Sequence, residues 1–114
     1  MTAPLTKTNQ LYKAKKPRFN YQAYARWIHE NNKPCVVCGR YDIEVHHITD
    51  IYHHLLRNEP RRSDKRVVPL CKSHHKEGKN GIHILSKEDF YAQEMDLYDL
   101  LDHSRDLLEE YLNA

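Results

Sequence analysis

The chain has 114 residues, room for one domain and hardly two, and a domain of that size buries only a modest core that an internal staple would support. With 30% charged residues, a mean hydropathy of −0.88 and no run of about 18 apolar residues, a transmembrane helix is not expected, and without an apolar stretch beside the first basic residues neither is a secretory leader. The net charge of +2 conceals an asymmetry: residues 1–83 carry 16 Lys/Arg against 7 Asp/Glu, whereas residues 84–114 carry 2 against 9, which suggests a polyanion partner for the front of the chain.

In chain order, residues 1–19 hold Lys7, Lys13, Lys15, Lys16 and Arg18 with few large apolar side chains, which predicts a basic arm. Residues 21–31 predict a short helix. Asn20 can cap it, Tyr21, Tyr24 and Ile28 recur at helical spacing, and Asn31–Asn32 before Lys33–Pro34 end it. Trp27 is expected to pack there rather than to stack on a base. Cys35-Val36-Val37-Cys38-Gly39-Arg40 is a knuckle whose glycine lets the backbone turn beneath two thiols.

Residues 43–48 read as a strand and residues 49–65 as a polar connection, with a helical turn at 52–56 and a loop at 58–64. A second strand follows at 66–70, where Pro69 restricts it to an edge or to its end. A helix is expected from about Lys72, interrupted by Gly78 and Gly81. Ser86, followed by Asp89, opens a last helix whose apolar positions run through Phe90, Leu97, Leu100, Leu101, Leu107, Leu108 and Tyr111. The expected architecture is α+β: a basic arm at 1–19, a metal-stapled core at 20–85 and an acidic helical segment at 86–114 packed on or extending that core.

Three cysteines are an odd count for a disulfide framework, so metal ligation is the better expectation, in a chain expected to be cytoplasmic. Cys35-x-x-Cys38 and Cys71-x-x-His74 form two half-sites whose four ligands suit tetrahedral zinc. The 32 residues between Cys38 and Cys71 are more than a single DNA-reading finger needs and must hold structure of their own. The chain has nine histidines, so zinc leaves others over. His46 and His47 follow the knuckle, His75 follows the last zinc half-site, and His83 lies shortly after. That is the pattern of a second metal site held by the first.

The pieces CVVC, EVHHI, VVPLC-KS-HH and the trailing GIH, in this order, resemble the HNH endonuclease superfamily, also called ββα-metal or His-Me finger nucleases. Within it they are similar to phage-encoded nucleases of the recombination-enhancement (Ref-type) and related kinds. The resemblance spans about half the chain. It implies a ββα-metal fold, His46, His75 and His83 as ligands of a catalytic cation, and His47 as general base. The family's middle asparagine has no counterpart: by register the nearest residue is Arg66, with Asp64 two positions earlier. In a regular strand His46 and His47 point to opposite faces, so their two roles could be exchanged.

The activity implied is hydrolysis of DNA phosphodiesters to a 5′-phosphate and a 3′-hydroxyl, with Mg2+, Mn2+ or another divalent transition metal as the catalytic cation beside structural zinc. A neutral imidazole would take the proton of the attacking water. Lys13, Lys15, Lys16, Arg18, Arg57, Arg61, Arg62, Lys65, Arg66 and Lys72 are candidate DNA contacts. The competing reading is a non-catalytic zinc module, a DNA-binding or recombination accessory. On that reading the acidic last helix would dock a recombination or packaging protein.

Overall fold

The computed structural model describes residues 18–49 and 62–114. Helix α1 spans Tyr21–Glu30, strands β1 and β2 span Ile43–His47 and Val67–Cys71, a π-helical segment spans Ser73–Glu77, and helices α2 and α3 span Lys87–Gln93 and Leu97–Leu112. The result is a small mixed domain in which helices pack around a two-stranded antiparallel sheet. The expected turn at 52–56, the loop residues up to Arg61, and the candidate contacts Lys13, Lys15, Lys16, Arg57 and Arg61 lie outside the described residues.

Local chemistry sets the ends of α1. The Asn20 side chain accepts from the Ala23 N–H at 3.0 Å, satisfying one of the helix's orphan donors. At the other end Asn32 takes φ +52°, the Asn32 N–H returns to the His29 carbonyl and the Lys33 N–H to the Ile28 carbonyl. That pair of bonds is a Schellman motif, with asparagine in the left-handed position more often filled by glycine. The helix buries Tyr24 and Ile28. Trp27 packs as expected, its ring 6.2 Å from Tyr24 and 5.2 Å from Tyr111 of α3. Phe19, at the end of the expected arm, also packs on Tyr24 and Tyr111.

β1 and β2 pair in the register Ile43↔Cys71, Val45↔Pro69 and His47↔Val67. Pro69 is tolerated in mid-strand because its carbonyl faces away from β1 and accepts from the Val36 N–H at 3.1 Å. A residue's N and carbonyl share one side of a strand, so the missing N–H costs the ladder nothing. That same bond ties the knuckle to β2. All five residues of β2 are buried, and Ile48, Leu70, Ile82, Phe90 and Leu100 complete the core around them.

The acidic segment is two helices rather than one. Ser86 caps the first through the Asp89 N–H at 3.1 Å, as its sequence suggests. Asp96 caps the second, accepting from the Tyr98 and Asp99 N–H groups. An extended Asp96 breaks the run after Met95 and lets α3 turn back across β2. Leu100 and Ser104 of α3 are buried, and Ser104 Oγ donates to the Lys65 carbonyl at 3.4 Å. The segment is therefore part of the core. No helix among the described residues is long and apolar enough to cross a membrane.

Candidate metal centres

The two half-sites meet. Donor atoms of Cys35, Cys38, Cys71 and His74 all lie within 4.8 Å of one another. A tetrahedral zinc with bonds of roughly 2.3 Å to sulfur sets its sulfurs about 3.8 Å apart. Here Cys38 Sγ and Cys71 Sγ are 3.6 Å apart, and His74 Nδ1 lies 3.3 Å from Cys71 Sγ and 4.0 Å from Cys35 Sγ. The cluster thus has the dimensions of such a site, and a Cys3His set of this kind can hold a metal such as zinc. Gly39 makes the knuckle possible: it takes φ +82°, a conformation that strains any residue with a Cβ, and its N–H closes the turn onto the Cys35 carbonyl.

Burial acts differently on the two buried thiols of the cluster. Burial pushes the Cys71 thiol up to about 11. Burial also opposes ionisation of Cys35, yet backbone N–H groups of Cys71, Cys38 and Val37 overcome it and hold that thiol below its ordinary value. His74 presents Nδ1 to the sulfurs while Nε2 lies 3.2 Å from the Glu94 carboxylate. That carboxylate fixes the ring and its orientation toward the sulfurs. Glu94 sits at the end of α2, 20 residues from His74, and nothing in the sequence marks the pairing.

A second cluster stands beside the first. His46 of β1, His75 of the π-helical segment and His83 of the following loop place their ring centroids 4.7–5.2 Å apart, each pair near edge-to-face. Their donor nitrogens lie within 4.8 Å of one another. Adjacent residues of a helical segment point roughly a quarter-turn apart, so His74 serves one cluster and His75 the other from one rigid backbone. The π-type bond from the Gly78 N–H to the Ser73 carbonyl ends the segment, and the His83 N–H returns to the His75 carbonyl at 2.9 Å.

Gly81 permits this return. A Cβ there would lie 2.9 Å from the Ser73 carbonyl oxygen, 3.0 Å from that of Gly78 and 3.1 Å from that of His75, all of them backbone. Gly81→Ala is therefore expected to cost about 1–3 kcal/mol of stability and to displace His83. A thermal melt and a metal titration of the zinc-loaded variant check it; an unchanged second site would show that the loop can yield.

Glu44 completes the trio. Its carboxylate accepts from His75 Nδ1 at 2.7 Å, which leaves Nε2 as the lone-pair nitrogen for a cation. The sequence held a signal for it, since Glu44 and His46 are two apart in β1 and share a face. That hydrogen bond from His75 lowers the Glu44 carboxyl below its usual value, opposed by desolvation and aided by Lys76 and Lys72. The tether is accordingly complete above the ordinary carboxyl range and is lost as pH falls through the lowered value. Glu44→Ala should weaken cation binding at the trio by about 10- to 100-fold while leaving the cysteine cluster loaded. Calorimetric titration with Mn2+ or Co2+ checks this.

His47 stands apart from both clusters. It is half-buried, with Nε2 2.9 Å from Asp64 Oδ1, Nδ1 3.2 Å from Arg62 Nη2 and its ring 5.0 Å from that of Tyr21. Burial, and then the charge of Asp64, raise the Tyr21 phenol, against Arg62, so it remains a neutral donor at neutral pH. β1 alternates faces, which sends His46 to the trio and His47 to this group. Of the other candidate phosphate contacts, Arg18, Arg62, Lys65 and Lys72 are exposed, whereas Arg66 is half-buried in a cleft it lines with Leu101 and Ser104 of α3.

Fold and sites together define a small mixed α and β domain organised by a four-ligand cysteine–histidine cluster abutting a three-histidine cluster. The chain belongs to the family described as protein of unknown function (DUF968), which matches residues 4–105. No curated protein and no solved structure matches it.

Proposed function

We propose that the protein is a divalent-metal-dependent endonuclease of the HNH, or ββα-metal, type, acting on the phosphodiester bonds of DNA. The observation that carries this reading is the convergence of His46, His75 and His83 from a strand, a helical segment and a loop, with His47 next to His46 in the chain and on the other face of β1. The element order strand, connection, strand, helical segment is also what a ββα-metal core requires. A purely structural zinc module accounts for Cys35, Cys38, Cys71 and His74 but leaves the trio and its Glu44 support unexplained.

On this reading His46, His75 and His83 hold the cation. A cation held there would supply positive charge against the phosphate and the developing leaving group. Three imidazoles suit a transition metal better than magnesium. His47 takes a proton from the attacking water. The cysteine cluster fixes the backbone that carries His75. Arg62, Lys65 and Lys72 bind flanking phosphates.

The test is incubation of supercoiled plasmid with purified protein across Mg2+, Mn2+, Co2+, Ni2+ and Zn2+, with a chelator control. Metal-dependent nicking that disappears in His75→Ala supports the reading. No cleavage of DNA with any metal by protein that is folded and zinc-loaded overturns it. The basic arm supplies a separate expectation: deleting residues 1–17, which carry Lys7, Lys13, Lys15 and Lys16, should weaken DNA binding and flatten its salt dependence, because fewer counterions are released. Fluorescence anisotropy at several salt concentrations measures the slope.

A further inference from the structure

His47 is held at both ring nitrogens, and the chemistry of its partners dictates which one can act. An ionised carboxylate only accepts hydrogen bonds, so Nε2, at 2.9 Å from Asp64, carries the proton. A guanidinium only donates, so Nδ1, at 3.2 Å from Arg62, is the lone-pair nitrogen. The two contacts agree on one tautomer. They also leave the basic nitrogen covered in the free protein, by a side chain that is 64% exposed and approaches Asp64 no closer than 3.7 Å.

We propose that Asp64 is the positioning residue that locks His47 in the Nε2–H tautomer, and that Arg62 caps Nδ1 until a phosphodiester draws the guanidinium away. The inference rests on the nuclease reading and names the sensing element of that same site. A phosphate offers Arg62 two charged acceptors in place of one neutral nitrogen, a stronger and bidentate pairing. Leaving Nδ1 for the phosphate exposes the lone pair next to the substrate that needs it. Asp64 and the Tyr21 ring keep the imidazole in place as the cap departs.

The experiment uses the full zinc-loaded chain, labelled with 15N, and long-range proton–nitrogen spectra in which His47 is assigned by its loss in His47→Gln. The expected result is a protonated Nε2 and an unprotonated Nδ1. Addition of a short DNA duplex should move the Nδ1 resonance and leave Nε2 in place. Asp64→Ala should yield mixed tautomers, and Asp64→Asn, whose amide oxygen still accepts, should restore the single one. A protonated Nδ1 in the wild-type protein, an unaltered tautomer in Asp64→Ala, or an Nδ1 signal indifferent to DNA each overturns the proposal.

Kinetics provide a second reading. Asp64→Ala should lower kcat at least about 10-fold, a part of the roughly 10²- to 10⁴-fold that a positioned base supplies, with KM little changed. Arg62→Ala should raise KM and spare kcat, and Arg62→Lys should recover part of the KM. A kcat loss in Arg62→Ala equal to that in Asp64→Ala overturns the cap. If the wild-type protein cleaves nothing, the nuclease reading fails by that result, and the spectra still decide the tautomer and the cap.

Discussion

On the proposed nuclease function, His47→Ala is expected to abolish nearly all cleavage while leaving the fold, both candidate metal clusters and DNA binding intact. The side chain contacts Asp64, Arg62 and Tyr21 and contributes to neither metal cluster. Its loss should therefore cost the chemical step alone. General-base catalysis is worth roughly 10²- to 10⁴-fold, which sets the size of the drop in kcat. His46→Ala should differ in kind. It removes one of three cation donors, so its defect should lessen as metal concentration rises. A nicking time course for both variants across metal concentration, with thermal melts beside it, separates the two behaviours. Full activity in folded His47→Ala would overturn the assignment of the base, and a metal-independent loss in His46→Ala would exchange the two roles.

The second large effect belongs to the cysteine cluster. Cys35→Ser is expected to release the metal and with it most cooperative folding. Cys35 and Cys71 are buried, and the Val36 N–H fastens the knuckle to Pro69 in the middle of β2, so the cluster sits inside the core. Structural zinc contributes about 10–16 kcal/mol in small zinc-finger domains, the same order as the whole stability of a domain of this size. One zinc per chain by elemental analysis of the wild-type protein, and a broad, non-cooperative melt for Cys35→Ser, are the expected measurements. A zinc-free wild-type chain that melts sharply would overturn the staple.

The order of dependence between the two centres follows from the backbone. His74 and His75 are consecutive, so losing the cysteine cluster should also scatter the trio, whereas losing the trio leaves the cysteines tied to β2 through Val36. Cys35→Ser should thus abolish metal binding at both clusters, whereas Glu44→Ala should weaken it at the trio alone.

Much of this was written in the sequence, and the legible part is local. The caps Asn20 and Ser86 follow from side chains that reach an N–H three residues away, so they are visible in a window of a few positions. The four cysteine–histidine ligands are visible because only a few residue types bind such a metal and each half-site closes within one turn. The strands at 43–48 and 66–70 were expected within one residue of their observed ends. The acidic segment reads as one helix in the sequence because Asp96 looks like one more acidic residue, whereas it is the cap of a new helix.

What the tertiary structure alone decided is how neighbouring histidines are divided. His46 and His47 are adjacent in sequence and part because strand side chains alternate by half a turn; His74 and His75 part because helical ones advance by roughly a quarter-turn. Which neighbour faces which cluster depends on the register of β1 on β2 and on the return of the chain at Gly81, neither of which a spacing rule can state. The carboxylates that support the ligands were hidden for the same reason. Glu94 reaches His74 across 20 residues, Glu44 reaches His75 across 31 and Asp64 reaches His47 across 17. The sequence determines which residues are able to bind a metal or accept a proton. Only packing, by bringing distant charges to within 3 Å or so of a ring nitrogen, determines which nitrogen is left to do it.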